Sequence, residues 1–305
     1  MESFIIETKQ LTKKYKGQLA VNNVNLHIKK GSIYGLLGRN GAGKTTTLKS
    51  LLDFVHPDAG EALFFGRPLS ADEFGVKQAV GFASGGFGFY PLKRLRTVTD
   101  VTRRFYPSWD ETAYRRYLAL FALDENKRVK ELSEGMKVKY ALALALSHRA
   151  RLLVLDEPTS GLDPLMQSRF IDLVLEEKRR GATILLSSHL FDEVERTCDR
   201  VAFIRAGRMA AVERMDDVRK SRKRVFAVTF ADEAARDRFA QAHPDARKQG
   251  AASVEAAVAG NPDAFVKDLA AYDIVDLSAR EQTLEELFMH LYGTTNQVEK
   301  GGSHE

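Results

Sequence analysis

Apolar positions along the chain form two kinds of pattern, short continuous runs and runs at helical spacing. The continuous runs predict strands that are buried on both faces: residues 33–37, 152–155 and 182–187. Shorter or alternating runs predict further strands: residues 4–8, 24–28 and 61–65. Helices are predicted between strands: residues 44–52 and 166–180. This alternation indicates an α/β fold whose mostly parallel sheet is covered on both sides.

The pattern changes twice after the first strands. Residues from about 88 to 150 become helical and strongly charged, which predicts a helical subdomain inserted into a first domain at 1–218. A basic run at 219–224 then indicates a boundary, either as a solvated linker or as a contact for anionic lipid. Strand and helix patterns restart after it and predict a small α/β domain at 225–293, followed by a disordered tail at 294–305. Within that domain, Thr283 and Glu286 have the spacing of a capping box at the start of the last helix.

Composition narrows the range of partners. The chain has 305 residues with a formal net charge of +5, an excess too small and too dispersed to indicate a nucleic-acid partner. Its one cysteine, Cys198, excludes an internal disulfide and is expected to be a small buried residue. No signal-peptide pattern opens the chain, and no window approaches about 18 apolar residues. A soluble chain is therefore expected, with any membrane span supplied by another polypeptide.

A glycine-rich segment between a predicted strand and a predicted helix fits the phosphate-loop pattern. We expect it to bind nucleotide through Gly38, Arg39, Asn40, Gly41, Ala42, Gly43, Lys44, Thr45 and Thr46. The glycines allow backbone N–H groups to turn toward the phosphates, and the helix start adds its positive dipole end. Lys44 is expected to reach the β- and γ-phosphates, and the Thr45 hydroxyl to bind Mg²⁺.

A second candidate segment, 152–157, is an apolar strand that ends in two adjacent carboxylates, Asp156 and Glu157. The carboxyl end of such a strand is where an open α/β sheet places its ligand. Asp156 is expected to hold Mg²⁺, and Glu157 to polarise the attacking water as a catalytic base. Together with Lys44, these carboxylates predict a P-loop ATPase or GTPase.

Three more segments narrow this prediction. They are 132–137 (Leu-Ser-Glu-Gly-Met-Lys), 160–163 (Ser-Gly-Leu-Asp) and His189 after the next strand. Their order and spacing resemble the ABC ATPase family over residues 4 to about 215. The resemblance implies a RecA-like P-loop NTPase core that binds ATP and Mg²⁺.

The resemblance implies roles for five further residues. Ser133 and Gly135 are similar to the signature residues that contact ATP held by the opposite subunit, and Asp163 is similar to the D-loop aspartate. His189 resembles the switch histidine of catalysis, and Tyr15 the aromatic residue that stacks on adenine. Each residue also has a purely structural interpretation. Tyr15 would then be a surface aromatic, His189 a core histidine and Ser133 a helix cap.

The chain departs from the family pattern in two places. Glu134 stands where the signature usually has glycine, and Met136 where glutamine is common. A carboxylate near the γ-phosphate would be repelled, so Glu134 either turns toward Lys137 or Lys139 or forms a deliberately weak site. The position of the glutamine loop is occupied by Gly85, which places coupling to a membrane subunit by the usual contacts in doubt.

Two segments resemble ATPases paired with ABC-2-type exporters: 283–293 and 105–110. The resemblance implies an ATP-hydrolysing subunit at the cytoplasmic face of the cell membrane, acting on a separate transmembrane permease as a homodimer or a heterodimer with a paralogue. Residues 85–90 either dock that partner or form a buried loop cluster. The alternative functions are a low-turnover regulatory partner in a heterodimer and a ribosome-associated ABC protein. The single phosphate loop disfavours the second of these.

Overall fold

The computed structural model describes residues 4–85 and 90–293, with side chains through Phe288. The chain divides into two compact units, Met1–Met215 and Asp216–Glu305. The expectations for residues 86–89 and for the tail at 294–305 lie outside the described residues. No helix in the described part of the chain is long and apolar enough to cross a membrane.

The first unit contains eleven strands and seven helices within its described residues. The strands are β1 (Phe4–Tyr15), β2 (Gln18–Val24), β3 (His27–Lys29), β4 (Ile33–Leu37), β5 (Ala59–Phe64), β6 (Arg67–Pro68), β7 (Val80–Ser84), β8 (Leu152–Asp156), β9 (Thr183–Ser188), β10 (Arg200–Arg205) and β11 (Arg208–Arg214). The helices are α1 (Lys44–Leu51), α2 (Glu73–Gln78), α3 (Leu95–Thr102), α4 (Glu111–Leu120), α5 (Glu134–Leu146), α6 (Pro164–Arg179) and α7 (Phe191–Thr197). Short 3₁₀ turns lie at Leu69–Ala71, Arg103–Phe105 and Val129–Glu131.

A six-stranded sheet forms the centre of this unit, in the order β11-β10-β4-β9-β8-β7. The pairs from β10 to β7 are parallel, and β11 pairs antiparallel with β10. Every residue of β4, β8 and β9 is buried, because helices cover both faces of a parallel sheet. The predicted parallel core is thereby confirmed, and the carboxyl ends of these strands meet at one edge.

A second, antiparallel sheet joins β2, β1, β5 and β6, with β3 also paired to β1. The sequence did not predict this sheet. The prediction of one continuous strand at 24–28 was wrong, because this range spans the end of β2, a break and the start of β3. The chain leaves β2 at Val24 and enters β3 at His27 because the buried Thr8 hydroxyl donates to the Val24 carbonyl (2.9 Å) and accepts from the Leu26 N–H (2.8 Å). A side chain thus replaces the ladder hydrogen bonds at the point where the strand was expected to continue.

Three helices, α3, α4 and α5, lie between β7 and β8 in the chain, in the stretch expected to be a helical subdomain. Their contact is held by the buried Thr99 hydroxyl, which lies 2.7 Å from the Tyr114 hydroxyl and 2.9 Å from that of Tyr140. Apolar side chains of α5 pack against β7, which fixes the start of α5 relative to the sheet edge.

The second unit contains α8 (Met215–Lys220, beginning at the last residue of the first unit), β12 (Arg224–Phe230), α9 (Glu233–Ala242), β13 (Arg247–Gln249), β14 (Ser253–Val258), α10 (Asp263–Leu269), β15 (Ile274–Glu281) and α11 (Leu284–Gly293). The four strands pair antiparallel in the order β13-β14-β12-β15, which with α9 and α10 is a split βαβ arrangement. Its core is largely aromatic, with Phe226, Phe230, Phe239 and Phe265 buried. The expected capping box of α11 is confirmed, since Glu286 N–H donates to Thr283 Oγ1 (3.1 Å) and Thr283 N–H to Glu286 Oε2 (2.8 Å).

The basic run at 219–224 differs from the expected open linker. Its first two residues end α8, and Arg224 begins β12. Between them, the Arg222 side chain is largely buried and lies 3.7 Å from the Glu281 carboxylate. The other five residues of the run are exposed, as expected of a solvated segment, and Arg222 departs from this because an arginine that finds a carboxylate partner can be packed inside a domain.

Candidate functional site

The phosphate loop lies between the end of β4 at Leu37 and the start of α1 at Lys44. Its course requires glycine. Gly43 has φ of 108°, and a Cβ added there would lie 2.4 Å from the Ala20 carbonyl oxygen. A Cβ at Gly38 would lie 2.6 Å from the Ile204 carbonyl oxygen. The loop is therefore pressed against its neighbours, with the N–H groups at the start of α1 at its mouth.

The Lys44 side chain curls over this loop and is buried. Its Nζ donates to the carbonyl oxygens of Gly38 (2.6 Å) and Arg39 (3.3 Å). The same Nζ lies 3.1 Å from Glu157 Oε1. The ammonium group is thus held at the centre of the loop, where a bound anion would meet it.

Asp156, at the tip of β8, accepts hydrogen bonds from three hydroxyl groups. Thr45 Oγ1 (3.0 Å) and Ser187 Oγ (2.7 Å) donate to Oδ1, and Ser84 Oγ (3.1 Å) donates to Oδ2. Sequence reasoning found Thr45 but missed both serines. The available signal was that both lie at the carboxyl ends of the strands flanking β8 in a parallel sheet, Ser84 as the last residue of β7 and Ser187 as the second to last of β9.

The donor set around Asp156 fits a hard divalent cation. A hydroxyl and a carboxylate oxygen stand together at Thr45 and Asp156, and oxygen is the ligand type that Mg²⁺ prefers. Within residues 4–85 and 90–288, no group of three or more histidine, cysteine or acidic side chains could hold a metal. A pair of protein ligands is what Mg²⁺ commonly uses, because it keeps several waters and binds substrate phosphates.

Glu157 leaves the strand direction at once, with φ of 48°. Its N–H points to Ser187, 3.2 Å from the carbonyl oxygen and 3.1 Å from Oγ. The turn directs the carboxylate away from Asp156 and places it between Lys44 and His189, whose Nδ1 lies 3.4 Å from Glu157 Oε2. The His189 side chain is 42% exposed, so its interpretation as a core histidine was wrong.

The signature and D-loop residues form a second cluster at the starts of α5 and α6. Ser133 caps α5 by accepting from Met136 N–H (3.3 Å), and Asp163 caps α6 through its own side chain. The two loops touch, since a Cβ on Gly135 would lie 2.5 Å from the Gly161 carbonyl oxygen. In the described part of the chain, no hydrogen bond or ion pair joins Ser133, Gly135 or Asp163 to Lys44, Thr45 or Asp156.

Glu134 and Tyr15 lie on the surface of the first unit. The Glu134 side chain is 76% exposed, and its Oε1 lies 2.6 Å from Lys137 Nζ. The chain thus adopts the first of the two expected arrangements for Glu134, with the carboxylate paired on its own helix. The Tyr15 ring is exposed at the end of β1, as a stacking surface requires, and the Lys13 ammonium lies 5.6 Å from its centroid.

Gly85 follows directly on β7 at the position expected for the glutamine loop. Among the described residues, a Cβ there would meet only Val138 Cγ2, at 3.5 Å, which is ordinary van der Waals contact. The neighbouring Ser84 provides a polar contact with Asp156 at this strand end.

Comparison with known proteins agrees with this geometry. A family model described as "ABC transporter" matches residues 21–160. The ATP-binding protein YtrB of Bacillus subtilis is 34% identical over 217 residues, 71% of this chain and 74% of the relative. The Nod factor export ATP-binding protein I of Burkholderia orbicola is 40% identical over 211 residues, 68% of this chain and 69% of the relative.

The chain belongs to the ABC transporter ATP-binding protein family. A solved ATP-binding subunit of an ABC transporter superimposes with a TM-score of 0.64 at 29% identity, over 71% of this chain and 92% of the other. The fold is that of the P-loop NTPases, as expected. This ABC protein is the ATP-binding subunit of a transporter and an ATPase.

The close approach of Gly43 to Ala20 predicts that an alanine substitution is more harmful at Gly43 than at Gly66. Gly43→Ala and Gly66→Ala both place a side chain at positive φ, which costs about 1–2 kcal/mol. Of these two glycines, only Gly43 would bring its new Cβ against a backbone oxygen, whereas a Cβ at Gly66 would have no described residue within 4 Å. We expect the melting temperature to fall further for Gly43→Ala, together with a loss of ATP binding. Equal melting temperatures and retained ATP affinity in both variants would contradict this account of the loop.

Proposed function

We propose that this ABC ATPase hydrolyses Mg²⁺-ATP with the residues gathered at one edge of the parallel sheet and thereby powers an ABC-2-type exporter. The observation that carries the proposal is the convergence of Lys44, Asp156, Glu157 and His189 from separate elements. We take the ATPase unit as 1–215 and the second unit, 216–293, as an accessory domain.

Thr45 and Asp156 would hold Mg²⁺, which supplies neutralising charge on the phosphates. The loop from Gly38 to Thr46 would bind the phosphates through its N–H groups, with Lys44 as the cation at its centre. The Ser84 and Ser187 hydroxyls keep the Asp156 carboxylate fixed from both neighbouring strands.

Glu157 is the candidate general base. Its carboxylate would accept the proton of a water that attacks the γ-phosphate, while His189 on its other side contacts the same phosphate. The ion pair with Lys44 must loosen when phosphate binds, because the ammonium would then contact phosphate oxygens. Phosphate binding would therefore also release Glu157 to act on water.

Among the described residues, no hydrogen bond joins Ser133 or Gly135 to the protein's own phosphate loop, which supports a head-to-tail dimer in which they contact ATP held by a second subunit. Tyr15 would stack on the adenine of the ATP held in its own subunit. ATP would favour the closed dimer because its γ-phosphate contacts both subunits, and hydrolysis would remove that contact. The second subunit is either another copy of this chain or a paralogue.

An apolar pocket of about 290 Å³ is the surface we propose for a helix of the membrane permease. Its lining includes Phe54, Phe82, Val101 and Phe105, and Phe54 and Phe105 are about half-exposed. Phe82 belongs to β7, whose last residue, Ser84, donates to Asp156. A helix seated here would therefore be connected to the nucleotide site through a single short strand.

The name of one relative, a Nod factor export ATP-binding protein, supports an export role. We infer that the chain would act at the cytoplasmic face of the membrane. A low-turnover regulatory role in a heterodimer is the second candidate. It is favoured by Glu134 in the signature and by Gly85 in place of a glutamine. The intact set of Lys44, Asp156 and Glu157 favours hydrolysis.

Glu157→Gln tests the proposed hydrolysis site. The amide cannot accept the water proton, so we expect turnover to fall by about 10²-fold or more while ATP still binds. Steady-state phosphate release and equilibrium ATP binding measure the two effects, and Glu111→Gln, on the exposed surface of α4, is the control. Wild-type hydrolysis by Glu157→Gln would refute the assignment.

Glu134→Gly tests the signature loop. Because the carboxylate is paired with Lys137 and exposed, its removal should not lower ATP-driven dimer formation. A deliberately weak site predicts that dimer formation rises. Size-exclusion chromatography with ATP measures this, with Glu157→Gln in both proteins to prevent hydrolysis. A clear loss of dimer would mean that the carboxylate makes a favourable contact and that the electrostatic argument is wrong.

Phe105→Ser tests the permease surface. We expect less membrane protein to co-purify with the variant from membranes, because an exposed apolar contact is lost, while the ATPase activity of the isolated chain is kept. Phe74→Ser removes another exposed ring, on α2, that does not line the pocket, and it is the matched control. Equal recovery of the membrane partner with both variants would exclude this surface.

A further inference from the structure

A buried glutamate, Glu193 on α7, lies next to the proposed hydrolysis site and has no role in the mechanism above. Its side chain belongs to the fully buried part of the unit, with only 4% of the residue exposed. One of its carboxylate oxygens, Oε1, has no hydrogen-bond partner among the described residues. A buried oxygen without a donor costs stability, so packing alone does not explain a carboxyl group here.

The other oxygen, Oε2, is shared by two loops. The Ser188 hydroxyl donates to it from the end of β9, the residue before His189. The Thr159 hydroxyl donates to it at 3.3 Å from the loop that follows Glu157. A single carboxylate oxygen therefore joins the loop that carries His189 to the loop that carries Glu157.

Ser188 and Thr159 each make a further hydrogen bond beyond this contact. The Ser188 hydroxyl accepts from Leu190 N–H at 3.0 Å, so the backbone on either side of His189 is tied to it. Thr159 is buried, and its carbonyl oxygen accepts from Leu162 N–H at 3.1 Å, which shapes the D-loop turn. Movement of either loop would be transmitted to the other through Glu193.

We propose that Glu193 is a positioning residue for ATP hydrolysis, which holds the His189 loop and the loop between Glu157 and Asp163 in a fixed relation. The inference rests on the proposed roles of Glu157 and His189. This role accounts for a carboxyl group at a buried position, because its Oε2 accepts one hydrogen bond from each loop. Burial raises the pKa of Glu193 to about 7, and the nearby carboxylates of Glu157 and Asp192 act in the same direction.

Glu193→Ala removes the shared acceptor from the full-length chain. We expect kcat, expressed per ATP-binding site, to fall about tenfold. The dissociation constant for ATP should stay within about twofold of wild type. Glu193→Gln keeps an acceptor oxygen for both hydroxyls and should restore kcat to within about threefold of wild type. This rescue is not expected if the residue matters only for stability.

Two further variants distinguish an effect of Glu193 on loop position from an effect on the stability of the fold. Thr159→Val removes one donor without changing the shape of the side chain, and its effect on kcat should vanish when Glu193 is already alanine, because the acceptor is gone. Glu177→Ala removes another buried glutamate, held by Tyr117 and Arg180 away from these loops. It should lower the melting temperature and leave kcat for each ATP-binding site unchanged.

The outcomes distinguish the two proposals. Wild-type kcat in folded Glu193→Ala, or an equal fall of kcat in Glu177→Ala, overturns the role of Glu193. If Glu193→Ala does not fold, the kcat of Thr159→Val tests the role of Glu193 in its place. A lowered kcat with unchanged ATP affinity supports the role, and a wild-type kcat overturns it. Hydrolysis that survives Glu157→Gln refutes the proposed site itself, whatever the Glu193 variants show.

Discussion

The nucleotide site depends on the Asp156 carboxylate at the tip of β8, which is buried and bonded to hydroxyls from three other segments. Ser84 and Ser187 come from the strands on either side, and Thr45 comes from the helix after the phosphate loop. A buried carboxylate is costly unless its oxygens are satisfied, so this arrangement ties the register of the sheet to the position of the loop. A slip of one residue in either flanking strand would remove a donor and leave charge unpaired.

Directly after Asp156, the left-handed backbone at Glu157 points the two adjacent carboxylates in different directions. Asp156 ends the strand and faces the hydroxyls, whereas Glu157 turns toward Lys44 and His189. Positive φ is unfavourable for a residue with a side chain, and here it is held by the Glu157 N–H donating to Ser187. The residue that steadies Asp156 therefore also fixes the turn that separates the two roles.

Local patterns predicted the parts of the molecule that depend on local interactions. The buried strand 33–37, the glycine turn after it and the capping box at Thr283 were all readable from the sequence, because each is specified within a few residues. The antiparallel sheet and the serine donors of Asp156 were missed, since they depend on which strands become neighbours. The break after Val24 was missed for the same reason, because it depends on Thr8 from another strand.

Ser133 shows how a structural and a functional interpretation can hold for one side chain. As the cap of α5, its hydroxyl oxygen accepts a hydrogen bond from Met136 N–H. A hydroxyl has one proton to donate and two lone pairs, so the cap uses only its accepting capacity. The proton stays available for an anion approaching the positive end of the same helix. Capping also fixes the direction of the hydroxyl before any phosphate arrives, which lowers the entropy lost on contact. The cap is therefore compatible with the proposed contact with ATP held by a second subunit, and the two interpretations of Ser133 do not compete.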